Sequence, residues 1–360
     1  MSAITMNYQE VKMINITAPI NNLGYGVASV NIIKSLLKIG YDLQLNVIGQ
    51  IEDPKYLQLF SKLIQKNVNR STASVKIWHQ NDVHHHIGKG KHIAFPIFEL
   101  NQFTKAEKWS LSHNDKILVC SEWAKQIAEQ ETSIETSVVP LGVDRDIFQP
   151  FKSGRRETVF FNCGKWEVRK GHDILVECFN KAFDYNDEVE LWMMCHNPFY
   201  SQQQQDEWIN LYKNSKLGDK IRIIPRQKDH RDVYNIMKQT DCGVFPARAE
   251  GWNLELLEML SCGKHVITTN YSGHTEFCSV KNSMLVDVTS LESAVDGVWF
   301  HGQGMWASIG EDQKDQIISH MREVHKQKKE GDLVQNSDGI ITANEFSWEN
   351  SAKKFVEAIE

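Results

Sequence analysis

Twice along this chain, short apolar runs rich in β-branched residues alternate with stretches of helical period, and a single linker-like break separates the two series. In the first 150 residues the alternation runs Met13 to Thr17, Val27 to Ile39, Tyr41 to Ile48, Pro54 to Lys66 and Val75 to Trp78. It continues through His92 to Phe95, a helix near Lys105 to Ser112, Lys116 to Val119, a helix capped by Ser121, and Ser137 to Val139. Around Gln149 to Arg156, Pro, Gly, Ser and charge replace the periodic residues, as in a linker. The rhythm then restarts with Thr158 to Asn162, a helix from Asp173, Val189 to Met194, a helix near Asp206 to Lys216 and Ile221 to Ile224. It closes with a helix near Asp232 to Gln239, Cys242 to Phe245, Leu254 to Ser261 and His265 to Thr269. Strands joined through helices require crossovers, so the expectation is α/β: two largely parallel sheets in units 1–152 and 153–345, with a cleft beyond the strands' carboxyl ends. Past that, Met305 to Glu330 reads as a polar helix, Gly331 to Gly339 as a loop and Phe346 to Ile359 as a helix. The divergent stretch Trp299 to Asn344 carries no functional reading of its own.

With 41% hydrophobic and 24% charged residues, the composition is that of a soluble globular chain. No apolar run reaches a membrane span, and the opening MSAITMNYQEVKMINIT lacks the layout of a signal peptide. A cytoplasmic location is expected, with peripheral membrane contact left open and oligomeric state unread. The seven cysteines are odd in number and never spaced C-x-x-C, which favours buried thiols over disulfides or a zinc cage. A net charge of −6 argues mildly against a partner held by its phosphate backbone, so nucleic acid would enter only as an acceptor. Lys89 to Lys91 and Lys326 to Lys329 read as solvated surface.

The segment Ala249 to Thr269, AEGWNLELLEMLSCGKHVITT, is a strand end, a turn at Gly251, a helix, a Gly263 stop and another strand. Glu250 falls in the turn and Glu258 about one turn into the helix, on a face reachable from the same site. Free N–H groups at the helix start near Asn253 and Leu254 suit a pyrophosphate. The plain alternative is that Glu258 is a solvated helix carboxylate. A second segment, NCGKWEVRKGHD from Asn162 to Asp173, brings Lys165, Arg169 and Lys170 together beside two glycines. Such cations could neutralise a departing diphosphate without a metal ion, although a basic loop by itself is more often simply hydrated.

Together these segments resemble the retaining glycosyltransferases of family 4. PLGVDRDIFQP at Pro140 to Pro150 is similar to that family's interdomain string, GKWEVRKG to its phosphate loop, and Glu250 with Glu258 to its paired glutamates. SGHTEF, NSMLVDV and FSWENSAKKF resemble stretches that follow. The resemblance implies the fold called GT-B: two Rossmann-like domains facing across a cleft, with a C-terminal helix, 346–360, crossing back to the first. It implies a hexosyltransferase-like enzyme using a nucleotide-diphosphate sugar as co-substrate and no cofactor or metal. Lys170 and Lys165 would meet the donor phosphates, Glu250 the transferred sugar and Glu258 the ribose. Gly24 and Gly26 would lie over the diphosphate, Arg226 near the base, and Gly251, Trp252, Asn253 and Leu254 along the donor. Three residues depart from the family pattern: Lys165 stands for an arginine, Asn253 for a glycine and His265 for a proline.

His79 and Glu99 follow strand ends and are the candidate acceptor contacts. His84, His85 and His86 stand in a row, and on an extended chain neighbours face opposite ways, which opposes a shared metal. Trp123 reads as core. Two other functions fit the same features: a nucleotide-sugar epimerase, or a silent nucleotide-sugar binding module. The acceptor could be a glycan, a lipid, a small molecule or a modified nucleobase.

Overall fold

The computed structural model describes residues 13–360, and the opening segment weighed above against a signal peptide lies, through residue 12, outside the described residues. The first sheet holds β1 (Met13–Pro19), β2 (Asp42–Ile48), β3 (Ser74–Ile77), β4 (His92–Phe95), β5 (Lys116–Val119) and β6 (Thr136–Val138), in the order β2-β1-β3-β4-β5-β6. The second holds β7 (Thr158–Gly164), β8 (Val189–Cys195), β9 (Ile221–Ile223), β10 (Cys242–Phe245), β11 (His265–Thr269) and β12 (Met284–Val286), in the order β12-β11-β10-β7-β8-β9. Every adjacent pair in both sheets is parallel. Helices cover both faces, which is why strands such as β7 are apolar on both sides: Val159, Phe160 and Phe161 are all fully buried. The strand order reverses between β1 and β3 and again between β7 and β10. At such points neighbouring helices lie on opposite faces and leave a crevice above the carboxyl ends.

The string Pro140 to Pro150 ties the halves together. The Val143 amide donates to the Phe346 carbonyl at 3.0 Å, and a Cβ on Gly142 would stand 2.3 Å from the Trp348 nitrogen. The last helix, Trp348–Ile359, therefore begins against this string and lies on the helix Gly24–Lys38, with Phe355 packed 6.3 Å from Phe95. Phe148, Trp252 and Leu256 join the same apolar cluster, so one core continues from the first sheet into the second half.

The chain after Thr269 departs most from expectation. Met305 is not helical: it closes a two-stranded antiparallel hairpin, β13 (Leu291–Val295) and β14 (His301–Ala307), and the polar helix is Glu311–Glu330. Glycines at 297, 302 and 304 hid the alternating pattern of these short strands. Gly331 ends the helix in the left-handed region, φ 84°, but the loop is shorter than expected because Asn336 caps a helix Ser337–Glu345 by accepting from the Gly339 amide. The final helix starts at Trp348 rather than Phe346, behind the Ser347 cap. The glutamine tract opens the helix Gln202–Lys213, because Ser201 and Gln204 form a reciprocal cap. Lys328 is not a solvated lysine; its ammonium donates to the Glu157 carbonyl and to Asp241. Trp123 is half-buried and meets Tyr271 of the second half edge-on at 5.9 Å. All seven cysteines are free and buried. Among the described residues no helix is long and apolar enough to cross a membrane.

A Gly142→Val substitution forces a side chain into the Trp348 backbone, and overpacking of this kind costs about 1–3 kcal/mol. The expected outcome is a lower melting temperature with faster amide exchange across residues 346–360. Unchanged exchange there would dismiss the contact as a structural tie.

Candidate active site

The two crevices face each other and enclose a cavity of about 370 Å³. Gly24, His79 and Glu99 line it from the first half, and Lys165, Lys170, Arg226, Glu250, Gly251, Trp252, Asn253, Leu254 and Glu258 from the second. Gly26 does not. It lies inside the helix Gly24–Lys38, where a Cβ would come within 2.2 Å of Asn21 Oδ1, so its role is close packing under the Asn21 turn rather than room for a ligand.

The end of β7 sets the cations. Gly164, at φ 133°, lets the Lys170 stem cross the strand end, since a Cβ there would sit 3.1 Å from Lys170 Cε. Gly171, at φ 72°, begins the helix His172–Ala182 under the Pro246 carbonyl, which a Cβ would strike at 1.9 Å. This turn brings both Lys170 and Arg169 to the cavity, with Arg169 the more deeply buried of the two. The end of β10 supplies Glu250, which is buried rather than open at the cleft mouth. Arg169 Nη1 donates to Glu250 Oε2 at 2.9 Å, and Lys170 Nζ to Oε1 at 2.8 Å. Arg169 Nη2 also donates to Glu167 at 2.7 Å, and Lys165 Nζ pairs with the other Glu167 oxygen at 2.7 Å.

Burial alone would raise the Glu250 pKa, but the charges of Arg169 and Lys170 overturn that and bring it to about 2. For Lys170, burial pulls downward while Glu250 and Glu255 pull upward, and the net shift is up. Both groups are thus charged at neutral pH. The turn carrying Glu250 is braced by the SGHTEF segment: the Glu250 amide donates to Ser272 Oγ at 2.8 Å, and the Gly273 amide to the Glu250 carbonyl at 2.9 Å. Ser272 adopts φ 70°, ψ −158°, a region that side chains avoid at a cost of roughly 1–3 kcal/mol. A Cβ on Gly273 would meet the Gly251 carbonyl at 2.2 Å.

Several lining residues carry no signal in the sequence: Tyr25, Trp78, His196, Phe199, His230 and Glu255. Their common mark is position just after a strand or at a helix start, a signal that becomes usable once strand ends are known. Tyr25 accepts from the Ile97 amide at 2.8 Å and donates to its carbonyl at 2.7 Å, which fixes the wall below Glu99. Arg226 Nη2 reaches across the cleft to the Asn22 carbonyl at 2.7 Å. The histidine run is no extended strand. After a tight turn at Gln80–Asp82, the His84 and His85 rings lie 3.9 Å apart on one side and gather with Asp82, while His86 turns inward to Ser74 and Asn114. None of these lines the cavity.

Asn253 occupies the left-handed region at φ 78°, which explains an asparagine at a position where glycine is usual, and its Oδ1 caps the helix Leu254–Ser261 by accepting from Leu256. The Leu254 and Glu255 amides are left pointing out of the helix end into the cavity. Glu258 is buried rather than solvated; burial first, then Glu255 and Asp144, push its pKa well upward. His230 Nδ1 lies 3.7 Å from Glu258, and burial lowers the His230 pKa, so burial favours the neutral form of both groups. The sign of the pH dependence follows. The unfolded chain ionises Glu258 near pH 4.3 while the folded protein holds the proton, so stability falls as pH rises above that value. Glu258→Gln removes this loss, by up to about 1.4 kcal/mol for each pH unit. The variant should match the parent near pH 4 and melt progressively higher than it toward pH 7.5; parallel melting curves would contradict a buried neutral carboxyl.

Residues 143–299 match the family model described as glycosyl transferases group 1. The chain is 22% identical over 198 residues to the phosphatidylinositol N-acetylglucosaminyltransferase GPI3 subunit of Saccharomyces cerevisiae, covering 52% of this chain and 42% of the yeast protein. It thus spans less than half the length of that relative. Among solved structures it superimposes on a glycosyltransferase from Rickettsia africae with a TM-score of 0.71 at 14% identity, over 97% of this chain and 98% of that one. It also superimposes on Anabaena HepE in complex with UDP-glucose, with a TM-score of 0.67 at 12% identity, over 96% and 98%. The chain therefore has the two-domain GT-B fold of these glycosyltransferases, and its residues 143–299 carry the sequence pattern of glycosyl transferases group 1.

Proposed function

We propose that this protein is a glycosyltransferase that moves a hexose or similar sugar from a nucleotide diphosphate to an acceptor hydroxyl with retention of configuration. The observation that carries this reading is the convergence of Lys170, Glu250 and the open helix end at Leu254 on one crevice that faces a second crevice. Lys170 has three ammonium protons and gives one to Glu250, which leaves two for phosphate oxygens. The Leu254 and Glu255 amides offer a second set of donors, and Lys165 a third. In this reading these groups stabilise the leaving diphosphate in the role a metal ion plays elsewhere. Glu258, holding its proton, both donates to and accepts from ribose hydroxyls.

Retention is supported by the state of Glu250. A carboxylate locked between two cations, with a pKa near 2, is a poor nucleophile and a poor base. Its fitting task is to hold the transferred sugar's hydroxyls. The acceptor oxygen then attacks the anomeric carbon on the face the diphosphate leaves, the glycosidic C–O bond forms as the C–O bond to phosphate breaks, and a donor phosphate oxygen takes the acceptor's proton. His79 and Glu99, on the opposite wall, orient the acceptor. The likeness to HepE with UDP-glucose makes a uridine diphosphate sugar the first donor to test, and seven buried thiols suit a reducing compartment such as the cytoplasm.

UDP-glucose and its guanosine, adenosine and thymidine counterparts, added singly, should identify a donor by a rise in melting temperature. With that donor, NMR of slow hydrolysis should show release of the sugar with the donor's anomeric configuration. Conversion to an epimer would favour an isomerase, and an inert bound donor a binding module. Lys170→Ala should cut turnover by about a hundredfold or more; turnover within about threefold of the parent would sink its assignment to the leaving group.

A further inference from the structure

Two large aromatic side chains stand exposed at the rim of the cavity, on elements built to keep them there. Phe199, 58% exposed, follows β8 and lines the cavity beside Lys165, whose ammonium lies 5.7 Å from its ring centre. Trp299, 44% exposed, meets it edge-to-face at 5.7 Å from the tip of the β13–β14 hairpin. That tip is a fixed turn. Asp296 Oδ1 accepts from the amides of Val298, Trp299 and Phe300 at 2.8, 2.8 and 2.9 Å, and Gly297 takes φ 73° to close it. The hairpin's base is equally anchored. Trp306 is buried and donates to Glu292, the Ala307 amide donates to the Arg248 carbonyl just before Glu250, and the Met305 amide donates to Asn101 of the other half. A rigid arm thus runs from the Glu250 turn past the first half and holds an indole in water at the cleft mouth. Exposed apolar area gains nothing for folding, so a preorganised exposed pair indicates a ligand.

We propose that Phe199 and Trp299 form the outer acceptor subsite and that the acceptor is a carbohydrate, stacked by the C–H face of a sugar ring on the indole. This deepens the reading of the cavity as a glycosyltransferase site and rests on it. The C–H face of a pyranose is apolar and weakly positive, and it complements the negative face of an aromatic ring while the hydroxyls stay hydrated or bonded. The charges point the same way. Residues 291–307 contain no lysine or arginine, and their two carboxylates are engaged within the fold, Glu292 with Arg248 and Asp296 in the turn. An anionic membrane or a nucleic-acid strand would require a cluster of basic residues around the aromatics, whereas Lys165, the cation beside Phe199, is paired with Glu167 at 2.7 Å. A neutral, ring-bearing ligand continuous with the cavity does not.

The test compares the parent protein with Trp299→Ala and Trp299→Phe on three probes: an array of neutral and acidic glycans, vesicles of phosphatidylcholine with phosphatidylglycerol, and free UDP. The proposal expects the parent to bind a related set of glycans, the alanine variant to lose about tenfold or more of that signal, and the phenylalanine variant to keep most of it. Glycan binding that survives Trp299→Ala, absence of glycan binding by the parent, or vesicle binding that depends on Trp299 would each overturn it. The UDP melting shift reads the donor side separately: its absence in the parent would count against the transferase reading, whatever the array shows. Its persistence in Trp299→Ala shows that the variant is folded.

Discussion

A carboxylate held between two cations under the crevice organises this molecule. Glu250 cannot be buried alone, and neither can Arg169. Breaking such a pair by removing one partner typically costs about 3–5 kcal/mol, because the remaining charge is stranded in low dielectric. Together with Glu167, Lys165 and the more distant Glu99, the group comprises three cations and three carboxylates, which balance in formal charge. In the proposed function, an arriving diphosphate would redistribute hydrogen bonds among donors already in position. Little reorganisation would then be left for the departure of the leaving group, which is where electrostatic catalysis gains most.

That charge arrangement depends on backbone that only particular residues tolerate. Gly164 and Gly171 let the Lys170 segment fold over the end of β7, and Gly273 lets the strained Ser272 turn press against Gly251. Asn253 takes a left-handed conformation and caps the next helix with its own side chain. Strain of this kind persists only where the surroundings hold it. Here it is held by hydrogen bonds from Glu250 and Gly273, so the support of the charged cluster and the support of the strained turn are one set of contacts.

Much of the architecture was legible beforehand because its signals are local. Strand and helix periods repeat every few residues, and the departures at Asn253 and Lys165 were visible as departures. The hairpin was not legible: its strands are short, interrupted by glycines, and antiparallel in a chain whose rhythm is parallel, so Met305 was absorbed into the helix that follows. Gly26 was misread because a glycine beside a strand end suits a ligand and a tight packing contact equally well. The grouping of His84 and His85 with Asp82 was not legible either, because nothing in HHH announces the turn at Gln80 that precedes them.

The amino-acid order by itself determined the periods, the caps and the residue types available to a site: two parallel α/β units, a glutamate pair, and a glycine-flanked run of cations. It could not determine which charges are free. Arg169 and Lys170 are neighbours in sequence and look equivalent, and both line the cavity, yet Arg169 divides its guanidinium among Glu167, Glu250 and the Ala249 carbonyl while Lys170 donates to Glu250 and stays partly exposed. Nor could it determine that burial raises the Glu258 pKa or that Trp299 stands beside Phe199, a hundred residues earlier in the chain. Those facts depend on solvent exclusion and on contacts between distant segments, and both come into being only when the two halves close on each other.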